Sequence, residues 1–169
     1  MTISLHRLSI PVFRRGLDTL TTYLDKAEAF AAETGRDPAE IVSARLAPDM
    51  LPFSGQYQRA SDSAKFAVGR ITGLDMPRFE DDEQSIAELR ARVAKTQAFL
   101  AAVPDSTVDQ NAERIVSIKV GGVPMEFAAA DYLLNFALPN FYFHVTTAHA
   151  ILRHLGAPVG KRDFLGPLP

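Results

Sequence analysis

Four stretches of this chain repeat apolar residues every three or four positions, a period that few structures other than packed α-helices satisfy. The first, Phe13 to Ala31, carries Phe13, Leu17, Leu20, Leu24 and Ala27 on one stripe, and Thr34-Gly35 closes it. The second, from about Leu51 to Thr72, has a stripe of Tyr57, Ala60, Ala64, Ala67 and Ile71, small enough to let neighbouring helices approach closely. The third opens on Ser85-Ile86-Ala87-Glu88, a capping-box pattern, and continues through Leu89, Val93, Leu100 and Val103. The fourth runs from about Ala128 to Leu155, with Pro139 expected to bend it or to mark two abutting helices. Asp37-Pro38-Ala39-Glu40 starts a further short helix, with an acid at the cap and proline at the first turn.

Between the third and fourth stripes the period changes to two. Val116, Ile118 and Val120 alternate with Ser117 and Lys119, and Gly121-Gly122 supplies the turn of a small hairpin within Arg114 to Phe127. The expected architecture is an all-α four-helix bundle with this hairpin between its third and fourth long helices, one domain over residues 1–169. Hydrophobic residues make up 47% and charged residues 22%, enough to build one sizeable core.

Composition also removes whole classes of function. With no cysteine, the chain has no disulfide, thiol nucleophile or thiolate metal site. A formal charge of −2 offers no electrostatic reason to bind nucleic acid or an anionic membrane. His6, Arg7 and Pro11 interrupt any apolar run near the start, so neither signal peptide nor membrane span is expected, and a cytoplasmic location is. No phosphate-loop, dinucleotide, nucleophile-elbow or zinc-protease pattern is present.

Chemistry concentrates in PNFYFHVTTAHAILRHLG, residues 139–156, which spaces His144, His149 and His154 evenly by five. Each helical residue advances about 100°, so five residues turn about 140° and the three imidazoles diverge. They cannot share an ion. His144 falls in line with Ala137, Asn140, Ala148 and Ile151 and is expected inside; His149, with Tyr142 and Arg153, is expected to face solvent or a partner subunit; His154 ends the helix. A buried histidine and Asn140 one turn before it need polar partners, and Gln56 on the second helix is the candidate from across the interior. Asp62 and Lys65 read as an exposed pair, and Glu80 to Glu83 as a solvated connector. Phe136, Phe141, Tyr142 and Phe143 surround the last helix, so some of them are expected at a dimer contact.

The run LPNFYFHVTTAHAILRHLGAPVGKRDFLG, residues 138–166, resembles the C-terminal signature of a bacterial family of unknown function in the DinB/YfiT-like superfamily. DMLPFSGQYQRASDSAKFAVGRITG, residues 49–73, resembles that family's second-helix signature. The resemblance implies a four-helix bundle, often dimeric, whose relatives commonly hold a divalent metal with one histidine from the second helix and an H-x-x-x-H pair from the fourth. Some of those relatives are thiol-dependent transferases or isomerases. Here His144 matches the second histidine of the pair, Asn140 stands where the first would be, and the second helix offers Gln56 or Gln58 but no histidine. His144 is then the only candidate metal ligand on the core face. The expectation is a small-ligand pocket around His144, Asn140 and Gln56 in a homodimeric bundle without a cofactor. A zinc- or nickel-dependent transferase or hydrolase and a non-enzymatic dimeric bundle are the alternatives.

Overall fold

The computed structural model describes residues 4–167. Helix α1, Leu5–Thr34, begins eight residues before the Phe13 stripe, because Ser4 caps it by accepting the Arg7 N–H at 3.2 Å and because Leu5, Ser9 and Ile10 continue the buried face. Gly35 takes a left-handed φ of 67° and its N–H returns to the Ala31 carbonyl, ending the helix where the sequence places its stop. Helix α2, Pro38–Ser43, is capped by Asp37, and α3 covers Phe53–Thr72. Helix α4, Ile86–Ala101, has both halves of the Ser85–Glu88 capping box. A short α5, Asp105–Gln110, leads into strands β1, Ile115–Val120, and β2, Val123–Ala128, which pair antiparallel around Gly121-Gly122. Both turn glycines have positive φ, as a two-residue hairpin turn of this hand demands.

The fourth stripe is one continuous helical rod with a widened turn in it. Helix α6, Ala129–Tyr132, passes into a π-helical turn over Leu133–Ala137 and then into α7, Leu138–Leu155. Within the turn the Leu138 N–H reaches back five residues to the Leu133 carbonyl. Pro139 follows at once. Its ring would crowd the carbonyl four residues earlier, at Asn135, and the widened turn makes the room. The backbone therefore stays helical past the proline, with the short α6 abutting the long α7 through the widened turn. Helix α8, Lys161–Leu165, folds back from the end.

Packing follows the stripes. Helix α3 lies against α4 and α7, and α1 against α4 and α7, around one connected cluster of buried side chains that includes Phe13, Leu17, Tyr57, Leu89 and Phe141. The chain is mostly helical, with the hairpin as its only sheet among the described residues. No helix among them is long and apolar enough to cross a membrane.

One close approach sets the α1–α7 distance. A Cβ added at Gly16 would stand 2.3 Å from Cε1 of the fully buried Phe141, a ring held edge-on against Phe13 at 5.1 Å between centroids. Glycine costs an isolated helix about 1 kcal/mol relative to alanine, so Gly16→Ala on an exposed face would stabilise. Here overpacking, typically about 1–3 kcal/mol, opposes that gain. The expected result is a net loss of about 1–2 kcal/mol in urea titrations, relieved by adding Phe141→Leu. A stabilised single variant would show that this contact yields freely.

Candidate functional site

Helices α3 and α7 face each other along much of their length, and the polar residues on that seam come from every turn. Gln56, Arg59 and Ser63 succeed one another at three- and four-residue steps on α3; Asn140 and His144 stand one turn apart on α7. His144 is 8% exposed, inside as its azimuth requires, and its Nδ1 lies 2.8 Å from Oε1 of Gln56. The other end of that amide fixes the protons. Gln56 Nε2 donates to the Leu51 carbonyl at 2.9 Å, and a carbonyl can only accept. Oε1 is thus the acceptor toward the ring, so Nδ1 carries the imidazole proton and Nε2 presents a lone pair. Among the described residues nothing donates to that lone pair, and Nε2 is not sealed from water. Burial, and then the nearby Arg59 charge, lower the His144 pKa from 6.5 to about 4, which keeps the ring neutral at pH 7.

Asn140 is fixed by the same logic. Ser63 donates its hydroxyl to the Arg59 carbonyl at 2.7 Å, so it accepts from Nδ2 of Asn140 at 2.6 Å. Asn140 and Ser63 also line a cavity of about 190 Å³ beside the π turn, together with Arg70, Tyr132 and Lys119. Neither His144 nor Gln56 lines that cavity; Arg59 connects the two, lining the cavity while its charge acts on His144. A widened helical turn beside a polar cavity is where such turns are often found in working sites.

The remaining sequence candidates go elsewhere. Gln58 donates to Glu83 at 2.9 Å on the α4 side and takes no part in the seam. His149 differs from expectation. It is half-buried, its Nδ1 is 2.9 Å from the Tyr23 hydroxyl, and its ring packs near Phe164, because α1 and α8 cover the face that a lone helix would leave wet. Burial, then the Arg153 charge, lower its pKa. His154 is exposed in the last turn, as expected.

The Asp62–Lys65 pair differs more. Lys65 is 3% exposed, its Nζ 3.0 Å from Asp62, and both belong to a buried ion network with Arg92, Asp81 and Glu83. The acidic connector is accordingly folded down at Asp81 and Glu83 rather than solvated throughout. Arg59, Ser63 and Arg70 were open to discovery from the sequence, since they continue the Gln56 stripe at helical spacing. Lys119 and Tyr132 were not, because only the tertiary fold carries the hairpin and α6 to that cavity.

The donor set for a metal is thin. Among the described residues no three histidine, cysteine or carboxylate side chains lie close enough to hold one ion, and the position one turn before His144 offers an amide in place of an imidazole. Three-donor zinc sites need imidazole, thiolate or carboxylate at each position, so these residues do not fit the superfamily's metal.

Comparison with known proteins identifies the family. Residues 5–165 match a family described as a domain of unknown function, DUF1993. The chain belongs to the DUF1993 family. A crystal structure described as a DinB family member protein from Shewanella denitrificans superposes with a TM-score of 0.90 at 36% identity, covering 98% of this chain and 93% of that one. The DUF1993 chain is therefore a DinB-like protein of that superfamily, as its two quoted segments imply. No curated protein matches it.

Proposed function

We propose that this DUF1993 protein is a DinB-like four-helix bundle that binds a small organic ligand in the seam between α3 and α7, without the superfamily's metal. The observation that carries the reading is the Gln56–His144 pair: an amide locks the imidazole tautomer and leaves an unused acceptor, Nε2, at the edge of a buried seam. Among the described residues no side chain uses that acceptor, so it stays open to a ligand that can donate a hydrogen bond. Asn140 extends the polar wall one turn along, into the cavity. His144 accepts a hydrogen bond from the ligand, Asn140 orients it, and Gln56 positions His144.

Fragment screening by ligand-observed NMR tests this. His144→Ala and Asn140→Ala are each expected to weaken a genuine hit by several-fold to about tenfold, the worth of one hydrogen bond of about 0.5–1.5 kcal/mol. Hits indifferent to both substitutions would place binding elsewhere. Elemental analysis of the purified protein addresses the metalloenzyme alternative: zinc or nickel at one equivalent, lost in His144→Ala, would replace this reading.

A further inference from the structure

The ligand class can be narrowed from the charge around the cavity, on the assumption that the α3–α7 seam is the binding site. Three cations line it: Arg59, Arg70 and Lys119. Arg59 is already committed to Asp62 and Asp81. Asp62, the one carboxylate in the lining, is itself committed, to Lys65 at 3.0 Å and Arg92 at 3.1 Å. Among the described residues neither Arg70 nor Lys119 has a carboxylate within ion-pair distance. Two uncompensated positive charges therefore border one small cavity.

Arg70 is also held ready. Its guanidinium lies over Phe66 at 4.9 Å and Tyr132 at 5.9 Å, and one nitrogen donates to the Tyr132 hydroxyl at 2.9 Å. Stacking on two rings fixes the plane of the fork while leaving other N–H groups unspent, so little rotamer freedom is lost when an anion docks. Lys119 comes from β1 and is exposed, a second charge on the lining. Phe66, Phe136, Ala137 and Ile118 make the remaining wall apolar.

We propose that this cavity takes a small monocarboxylate with an apolar body, its carboxylate on Arg70 and Lys119 and its hydrocarbon against Phe66 and Phe136. Planar guanidinium matches carboxylate in a two-point hydrogen bond, which selects it over a hydroxyl or amide of the same shape. Inorganic phosphate would gain from the same cations but would leave the apolar wall uncovered.

Isothermal titration of the full chain at constant ionic strength, with benzoate, benzyl alcohol and inorganic phosphate as probes, tests the inference. Benzoate is expected to bind at least tenfold more tightly than benzyl alcohol and than phosphate, and to shift the Asn140 side-chain amide signal. Arg70→Gln and Lys119→Met should each weaken benzoate by several-fold or more. Lys119→Met is the safer variant, because its exposed site leaves folding unaffected. Equal binding of benzoate and benzyl alcohol, with the Asn140 signal moving in both, would overturn the carboxylate assignment and keep the ligand pocket. Tighter phosphate, or benzoate affinity unchanged in Lys119→Met and Arg70→Gln, would overturn it as well. Failure of every probe and of the fragment screen to move Asn140 would remove both conclusions.

Discussion

Replacing Arg92 by leucine is expected to cost about 3–5 kcal/mol, the range for removing one partner of a buried ion pair. Arg92 sits on α4 with 2% exposure. One terminal nitrogen meets Glu83 at 2.8 Å, Asp81 at 3.1 Å and the Glu80 carbonyl at 2.9 Å; the other meets Asp62 at 3.1 Å. Its guanidinium also lies over Phe79 at 5.2 Å. Leucine would restore apolar volume but leave Glu83, largely buried, without its cation, while Asp62 would keep Lys65 and Arg59 and lose one of its three. That uncompensated charge, more than the lost attraction, sets the magnitude. Arg92→Lys should recover only part, because one ammonium cannot serve carboxylates on both sides of a planar fork. Asp81→Asn, at an exposed position, should cost less than about 1 kcal/mol. Urea titration at pH 7 checks the series, and a loss below about 1 kcal/mol in Arg92→Leu would contradict it.

The same residue connects stability to the seam. Arg92 pins the segment between α3 and α4 by its carbonyl and carboxylates at residues 80, 81 and 83, and through Asp62 it orders Arg59. Arg59 in turn lines the cavity and acts on His144. Arg92→Leu should therefore expose this segment to limited proteolysis at denaturant concentrations where α1 and α7 remain folded, as expected for a locally opening unit. The orphaned Nε of Arg92, the one buried side-chain nitrogen or oxygen without a partner among the described residues, fits a group whose two terminal nitrogens already dictate its placement.

How much of this was readable beforehand depended on whether the deciding contact lay within one element. Gly35 and the Ser85–Glu88 box act within a turn or two of themselves, and both mark helix boundaries as read. His144 was legible for the same reason: its azimuth depends on α7 alone, and one polar residue on the facing stripe, Gln56, was enough to name its partner. Asp62 and Lys65, three apart on a helix, look like any surface pair; Arg92, thirty residues on, and the connector beyond α3 are what bury them. His149 points away from the interior of an isolated helix, yet Tyr23 and Phe164 arrive from opposite ends of the chain to cover it. Helices α5 and α8 are too short for any period to declare itself. The π turn is invisible to a count that assumes a constant 3.6 residues per turn, though Pro139 marked where that count would fail.

Acid should destabilise this protein through His144 by about 2 kcal/mol. In the unfolded chain the imidazole titrates at its ordinary 6.5; in the native state burial and Arg59 hold it to about 4. Above pH 6.5 both states carry a neutral ring and the residue makes no pH-dependent contribution. Between 6.5 and 4 the unfolded chain binds a proton that the native state refuses, so stability falls as pH falls; below 4 both bind it and the loss levels off. The full difference corresponds to about 3 kcal/mol, at 1.36 kcal/mol for each tenfold change, and contact of the ring edge with water reduces it to about 2. His144→Gln removes this titration while keeping an amide to meet Gln56. At pH 7 the variant should be less stable than the parent by about 1 kcal/mol, one hydrogen bond, and by pH 4.5 it should match or exceed it. His149 titrates in both proteins, so the difference between their curves isolates residue 144. A proton NMR titration giving His144 a pKa near 6.5, or parallel stability curves for the two proteins, would mean that the ring is not held neutral. The lone pair on Nε2 would then be unavailable to a ligand at mildly acidic pH, whereas a ring held near 4 keeps that acceptor open across the neutral range.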